Sequence, residues 1–553
     1  MRFKRLAAYA LTMGLVLTCL GGCGNSESGQ KQEAGQDSGA DSSSAGSKNA
    51  AGSTDPAVGE SGSLSETDTS VTDYDGEIEE IIMAYPIIGN VNQNAAKEVE
   101  DGINAISEKQ IGVHVTLKAI EIGSYAQQLN LMITSNEDLD VLVTYPSGSS
   151  SFSSMCSQNQ LLPLNDLLEE YGQDAKANLG DLINATKMNG NIYSLTTYFN
   201  KAASTLVAMR TDILEKHGLL EQAKQVTCMQ DLEPIYDVIL EKEPTMSPVS
   251  AGMGGSIFPP AYVDMGAAKE DAVIYDSLGD NNYLVAVDYS SDTPTVYNHY
   301  ASEAYKNSCM LAREWYEKGY IYKDSATTTD DADTLIRSGV VFSMIYKGGV
   351  DSPDAKRTTT GYDLTVVELN PIPISTGSCN VFTWGIPTTS KNPDAAMKFL
   401  NLMFSNADIN NLLAWGVEGV HYQVLEDGTA DYIQGQDVSS CQYHTVDFLY
   451  GDNFSILPWK GTSPDMRQQQ LEAMNNAETS PYLGFTLDTT SLQNELTATT
   501  NVIEEFKAAL ENGTVDPETE LPKFIEKLNA SGAQKIVDEA QRQLDERSEE
   551  RRV

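Results

Sequence analysis

The stretch that decides the fold runs from Glu79 to Val143 and reads EEIIMAYPIIGNVNQNAAKEVEDGINAISEKQIGVHVTLKAIEIGSYAQQLNLMITSNEDLDVLV. Its first segment, Glu79 to Tyr85, holds Ile81, Ile82 and Met83 and reads as a strand, broken by Pro86 and Gly89. Ala95 to Glu108 reads as a helix, with Val99, Ile103 and Ile106 on one face. Val113, Val115 and Leu117 alternate as a strand; Tyr125 to Thr134 returns to helix, and Leu139 to Val143 is a nearly unbroken apolar strand. Apolar strands separated by helices point to a parallel sheet covered on both faces, an α/β lobe. Such sheets take ligands at the carboxyl ends of their strands. Tyr85 and Tyr145 follow two of these strands, each ahead of a proline.

Outward from this lobe, residues 160 to 200 mix helix and loop, and a second α/β pattern then begins. Leu206 to Met209 reads as a strand, Thr211 to His217 and Leu232 to Leu240 as helices, and Tyr300 to Gly319 as a longer amphipathic helix ending at a glycine. A helix closing at Gly339 leads into a buried-type strand, Val340 to Ile345. Asn392-Pro393-Asp394 supplies a cap, a first-turn proline and an acid at the positive end of the helix dipole. Ala396, Phe399, Leu400 and Met403 follow at helical spacing, then Ile409, Leu412 and Leu413, and Gly416 stops the run. Leu492, Leu496, Thr499, Ile503, Phe506 and Leu510 form a late stripe, and Asp516-Pro517 caps what comes next. A final helix carries Ile536, Val537, Ala540 and Leu544.

Ahead of the first lobe lie two segments of another kind. Arg2, Lys4 and Arg5 precede an apolar run from Leu6 to Leu20, shorter than the roughly 20 residues a membrane span needs. This reads as an export signal. Leu20-Gly21-Gly22-Cys23 resembles the bacterial lipobox, in which the cysteine becomes the first mature residue and carries the lipid. From Cys23 to about Asp75 the chain is dominated by Gly, Ser, Ala, Asp, Glu, Gln and Thr, with Val58, Leu64 and Val71 its only larger aliphatics; it is too polar to offset its chain entropy by burial and reads as a disordered tether.

Formal charge is −43 for the whole chain and −46 without Arg2, Lys4 and Arg5. A chain this acidic repels phosphate backbones, so no nucleic-acid partner is expected. The remaining cysteines, Cys156, Cys228, Cys309, Cys379 and Cys441, are far apart and odd in number, which argues against a disulfide framework or a zinc site and for buried free thiols. No G-x-x-x-x-G-K-[ST] loop, HExxH motif or G-x-S-x-G elbow occurs. Neither enzyme activity, cofactor nor metal is expected, and Asp330, Asp331 and Asp333 read as helix-start charges.

Three segments carry a family resemblance. Asp333 to Gly349, Thr383-Trp384-Gly385-Ile386-Pro387 with Ser390 to Tyr422 (SKNPDAAMKFLNLMFSNADINNLLAWGVEGVHY), and Gly484 to Glu546 resemble bacterial extracellular solute-binding lipoproteins of ABC transporters. The type is the carbohydrate-binding one, and the last segment resembles a C-terminal domain of unknown function found in LipO-like members, common in Firmicutes. The resemblance implies a type II periplasmic-binding-protein-like fold: two α/β lobes, a hinge of two or three crossing strands, a ligand cleft and extra C-terminal helices. The division it implies is a signal peptide over 1–22, a tether over 23–75, first lobe over 76–200, second lobe over 201–344, a return through the first lobe and hinge over 345–390, and second lobe with C-terminal helices over 391–553.

It further implies capture of a small solute, an oligosaccharide first of all, for ABC permease subunits, by a monomer held to the membrane on the extracellular face through a palmitate-type anchor at Cys23. A peptide or other polar solute, a surface glycosidase and a ligand sensor are the alternatives. A sugar cleft needs aromatic platforms with polar groups at their rim. The 26 Tyr and 4 Trp, against 13 Phe, supply amphipathic rings. The expected ligand-binding residues are Tyr85 and Tyr145, Tyr346 at the end of a second-lobe strand, Trp384 and Trp415 ahead of glycines, and Glu418; Trp315, inside an amphipathic helix, is expected in the core.

Overall fold

The computed structural model describes residues 73–550, except 147, 252–254, 258–262, 265–267, 269–271, 281 and 290–293. The export signal, Cys23 and nearly all of the tether lie outside the described residues.

Glu79–Ile87 pairs in parallel with Val113–Glu121 on one side and Val141–Val143 on the other, as the apolar runs predict. It continues past the expected break at Pro86, because an extended chain accommodates proline's fixed φ. Thr383–Gly385 joins antiparallel to Val141–Val143, and Ser194–Thr196 completes a five-stranded sheet. The helix Gln93–Ile111 starts where the Asn92 side chain accepts from Ala95 N at 2.8 Å and ends at Gly112, φ +68°, a conformation strained for any side chain. Val99 and Ile103 on its inner face are sealed against the sheet.

The second lobe centres on Ala203–Arg210, flanked antiparallel by Val341–Gly348 and Leu364–Ile372, with Ser247–Val249 parallel at the edge. Under it Tyr236, Trp315, Tyr320 and Phe342 interlock edge to face, which places Trp315 in the core as expected. Gly319 closes the helix Glu303–Lys318 at φ +80°.

Two expected boundaries change. Leu364–Ile372 stays in the second-lobe sheet, so the chain returns to the first lobe only after residue 372. The helices Pro393–Ser405 and Ala407–Trp415, expected with the second lobe, share the first-lobe core. Ala396, Phe399, Leu400 and Met403 form the buried stripe, and the first of these helices packs on Asn165–Tyr171 and Gln173–Leu179. Asn392 holds the N-cap position without capping; its Nδ2 donates instead to Glu80 O at 2.8 Å, pinning the helix start to the first-lobe sheet.

The last helices, Gln493–Glu511, Pro517–Ala530 and Ala533–Glu550, bury Phe524, Leu528, Ile536 and Ala540 against Leu278, Val285 and Tyr300 beside the second lobe. Between the lobes the chain crosses at 197–202, 373–382 and 477–482. The last two crossings run side by side: Ile374 N donates to Glu478 O and Ser480 N to Ile374 O, each at 2.8 Å.

Candidate functional site

The carboxyl edge of the first-lobe sheet meets the hinge. Tyr145 follows Val141–Val143, Phe199 follows Ser194–Thr196, and Phe382 precedes the antiparallel Thr383–Gly385, so topology brings all three to one edge. The Tyr145 and Phe382 rings meet at 90° with centroids 6.2 Å apart; Phe382 lies 6.1 Å from Phe448, and Phe448 lies 6.1 Å from Phe199. Tyr145, Phe448 and Phe199 are half-buried, leaving ring surface free. The row ends at Lys201, whose Nζ sits 3.5 Å from the Phe199 centroid, a cation–π arrangement.

A second aromatic group lies near the same edge, where Asn90–Val91 pairs with Tyr443–His444. Trp459 stands 4.8 Å from Trp415, 4.9 Å from Tyr432 and 4.4 Å from His444. Burial pushes the His444 imidazole down to about 4, so it stays neutral at physiological pH.

Polar groups bridge the lobes nearby. Arg467 donates through Nη2 to Asp447 Oδ2 at 2.5 Å, through Nη1 to Asn453 Oδ1 at 3.0 Å and Gln470 Oε1 at 3.1 Å, and through Nε to Ile456 O at 2.9 Å. Burial works to raise the Asp447 carboxyl, but the guanidinium outweighs it and holds the group low. From the second lobe Asp351 comes under the charges of Asp447 and Arg467, with its own carboxyl raised by burial.

The expected residues divide. Tyr145 takes part in the row, and burial raises its hydroxyl pKa. Tyr346 is half-buried on the second lobe, its hydroxyl 3.3 Å from Ser352 Oγ and its ring 5.2 Å below Lys356 Nζ, with burial pushing it up to about 12. Tyr85 and Trp384 are 0% exposed and present no face to a solute. Tyr85 packs edge-on against Tyr450, and Trp384 Nε1 donates to Leu449 O at 2.8 Å. Trp415 is also buried, its Nε1 donating to Leu457 O at 3.0 Å; it backs Trp459 from below. Glu418 is exposed; its backbone bridges to that of the buried Tyr422, on which its charge also acts. Trp459, which like Trp384 and Trp415 lies in a turn-rich context late in the chain, joins the second aromatic group, whereas Phe199, Lys201, Phe382 and Phe448 carry no sequence signal, because their segments are distant in sequence and only the fold joins them.

Among the described residues, no group of three His, Cys, Asp or Glu could hold a metal, and no helix is long and apolar enough to cross a membrane. Cys156, Cys309, Cys379 and Cys441 are buried and Cys228 partly so; all five are free thiols, as expected.

Residues 93–409 match the family model of the bacterial extracellular solute-binding proteins, and residues 481–547 match a domain of unknown function, DUF3502. A carbohydrate ABC transporter substrate-binding protein of Streptococcus pneumoniae serotype 4 is 26% identical over 450 residues, 80% of this chain and 86% of that protein. The N-glycan transport solute-binding protein NgtS of S. pneumoniae superposes with a TM-score of 0.70 at 24% identity, over 84% of this chain and 98% of that one. The alginate-binding protein AlgQ2 superposes with a TM-score of 0.56 at 17% identity, over 86% and 99%. These likenesses establish the two-lobed solute-binding fold expected from sequence.

Proposed function

The chain belongs to the bacterial extracellular solute-binding protein family, and from that premise we propose that it captures an oligosaccharide between its lobes and delivers it unchanged to the membrane permease of an ABC importer. The observation that carries the sugar reading is the row Tyr145–Phe382–Phe448–Phe199 at the carboxyl edge of the first-lobe sheet. Pyranose rings present flat apolar faces, which stack on partly exposed aromatic rings, and their hydroxyls need donors and acceptors at the rim. Arg467, Asp447 and Asp351 supply both kinds beside the hinge. The named relatives, a carbohydrate transporter component and an N-glycan transport protein, agree with that chemistry.

In this reading Tyr145 is a platform on the first lobe and Tyr346 a contact from the second. Closure follows from the ligand's greater affinity for the closed form. Cys23 carries the lipid, residues 23–75 tether the lobes beyond the extracellular face of a Firmicutes membrane, and a monomer opens and closes freely.

Calorimetry of the chain without its signal, against oligosaccharides and short peptides, tests the reading. Saturable heat with a sugar, together with a smaller radius of gyration in solution scattering, is the expected result. Binding of peptides alone, or release of reducing ends from a bound sugar, overturns it.

A further inference from the structure

Lys201 stands at the first crossing between the lobes, two residues past Phe199 and two before the second-lobe strand Ala203–Arg210. It is 6% exposed. Its ammonium lies on the Phe199 ring, and among the described residues no hydrogen-bond acceptor and no carboxylate stands beside it. Other deeply set lysines of this chain are paired: Lys356 Nζ lies 2.9 Å from Asp333, and Lys507 Nζ lies 3.4 Å from Glu511. The charged and titratable groups acting on Lys201 are Lys347, from the second-lobe strand Val341–Gly348, and the Cys379 thiol, from the second crossing. Burial holds that thiol protonated, so it gives no counter-charge at neutral pH.

A buried ammonium facing a second lysine costs free energy unless an anion joins it. The net charge of −43 provides no general attraction for an anion, so a site for one has to be built locally. We propose that Lys201, at the end of the aromatic row, forms the subsite for an anionic substituent, so that the preferred solute is an acidic oligosaccharide bearing a carboxylate, sulfate or phosphate. This rests on the sugar-binding reading and adds the chemical class of the sugar. The rings hold the pyranose faces while Lys201 donates to the anionic oxygens. Desolvation lowers the amine to about 7, and an anion beside it would favour the protonated form, coupling its charge to anion binding.

The test uses matched pairs of oligosaccharides, each neutral backbone with and without a uronate or sialate, a sulfate or a phosphate. They are titrated into the wild-type chain, Lys201→Met and Lys201→Arg. The wild type is expected to bind one acidic member about tenfold or more tightly than its neutral partner. Lys201→Met removes that preference, weakening the acidic member about tenfold more than the neutral one, while Lys201→Arg keeps it. Lys201→Gln replaces the methionine variant if that one fails to fold. Equal affinity of the wild type for acidic and neutral members, or equal weakening of both by Lys201→Met, overturns the subsite and leaves the sugar reading standing. Binding of no sugar at all overturns that reading, and the subsite with it.

Discussion

The indole N–H of Trp384 donates to the carbonyl oxygen of Leu449 at 2.8 Å, and through this bond the short strand returning from the hinge holds the loop that carries Phe448. Trp384→Phe deletes the donor and leaves a buried carbonyl unpaired, at a cost of about 1–3 kcal/mol. Scanning calorimetry is expected to show a lower melting temperature. Sugar affinity of the folded protein falls less than for a substitution within the row itself, because Trp384 touches no solvent.

Phe448→Ala and Tyr145→Ala each remove a partly exposed ring from the row. Either is expected to weaken oligosaccharide binding about tenfold, the equivalent of roughly 1.4 kcal/mol, with a small loss of stability. Titration calorimetry beside a thermal melt separates the two effects. Unchanged affinity in both variants would remove the row from the cleft.

Lys201 also makes a stability prediction. Burial lowers its folded value to about 7, against 10.5 unfolded, with Lys347 lowering it further and Cys379 opposing. Between those values the unfolded chain binds the extra proton, so stability rises with pH through that window. Below about 7 both states are protonated and the full penalty remains. Lys201→Met is therefore expected to melt above the wild type at pH 6.5, by a margin worth a few kcal/mol, and the gap to narrow toward pH 10. Parallel melts across pH, read as differences, check this; a gap that widens with pH contradicts it.

Gly513 has φ +65°, and a Cβ built there would stand 2.1 Å from Ala312 O on the helix Glu303–Lys318. Neither backbone can yield cheaply. Gly513→Ala is expected to loosen the terminal helices from the second lobe, costing on the order of 2–3 kcal/mol. Limited proteolysis should then cut the C-terminal segment earlier than in the wild type, and unaltered digestion would contradict the prediction.

The first-lobe strands were legible because apolar runs buried on two faces leave little ambiguity, and helix ends because the glycines that stop them, Gly319, Gly339 and Gly416, all take positive φ. What a helix covers was not legible. The stripe Ala396–Phe399–Leu400–Met403 announces burial, yet nothing in it names the first lobe as the partner. The site divided along the same line. Tyr145 stands in a loop whose position topology fixes, whereas a three-residue strand such as Thr383–Gly385 is too short for alternation to say whether Trp384 faces cleft or core. The contact of Lys201 with Phe199, and the lack of a carboxylate beside it among the described residues, are properties of the fold alone.

The pairing of Ile374 with residues 478–480 has a mechanical consequence. With three threads spanning the gap and two of them stitched together, any opening of the lobes is expected to follow one axis, like a door on fixed pins, rather than to swivel. On the proposed reading, a long guest would then be held in one orientation, and the face offered to a permease would stay constant whatever the cargo's length.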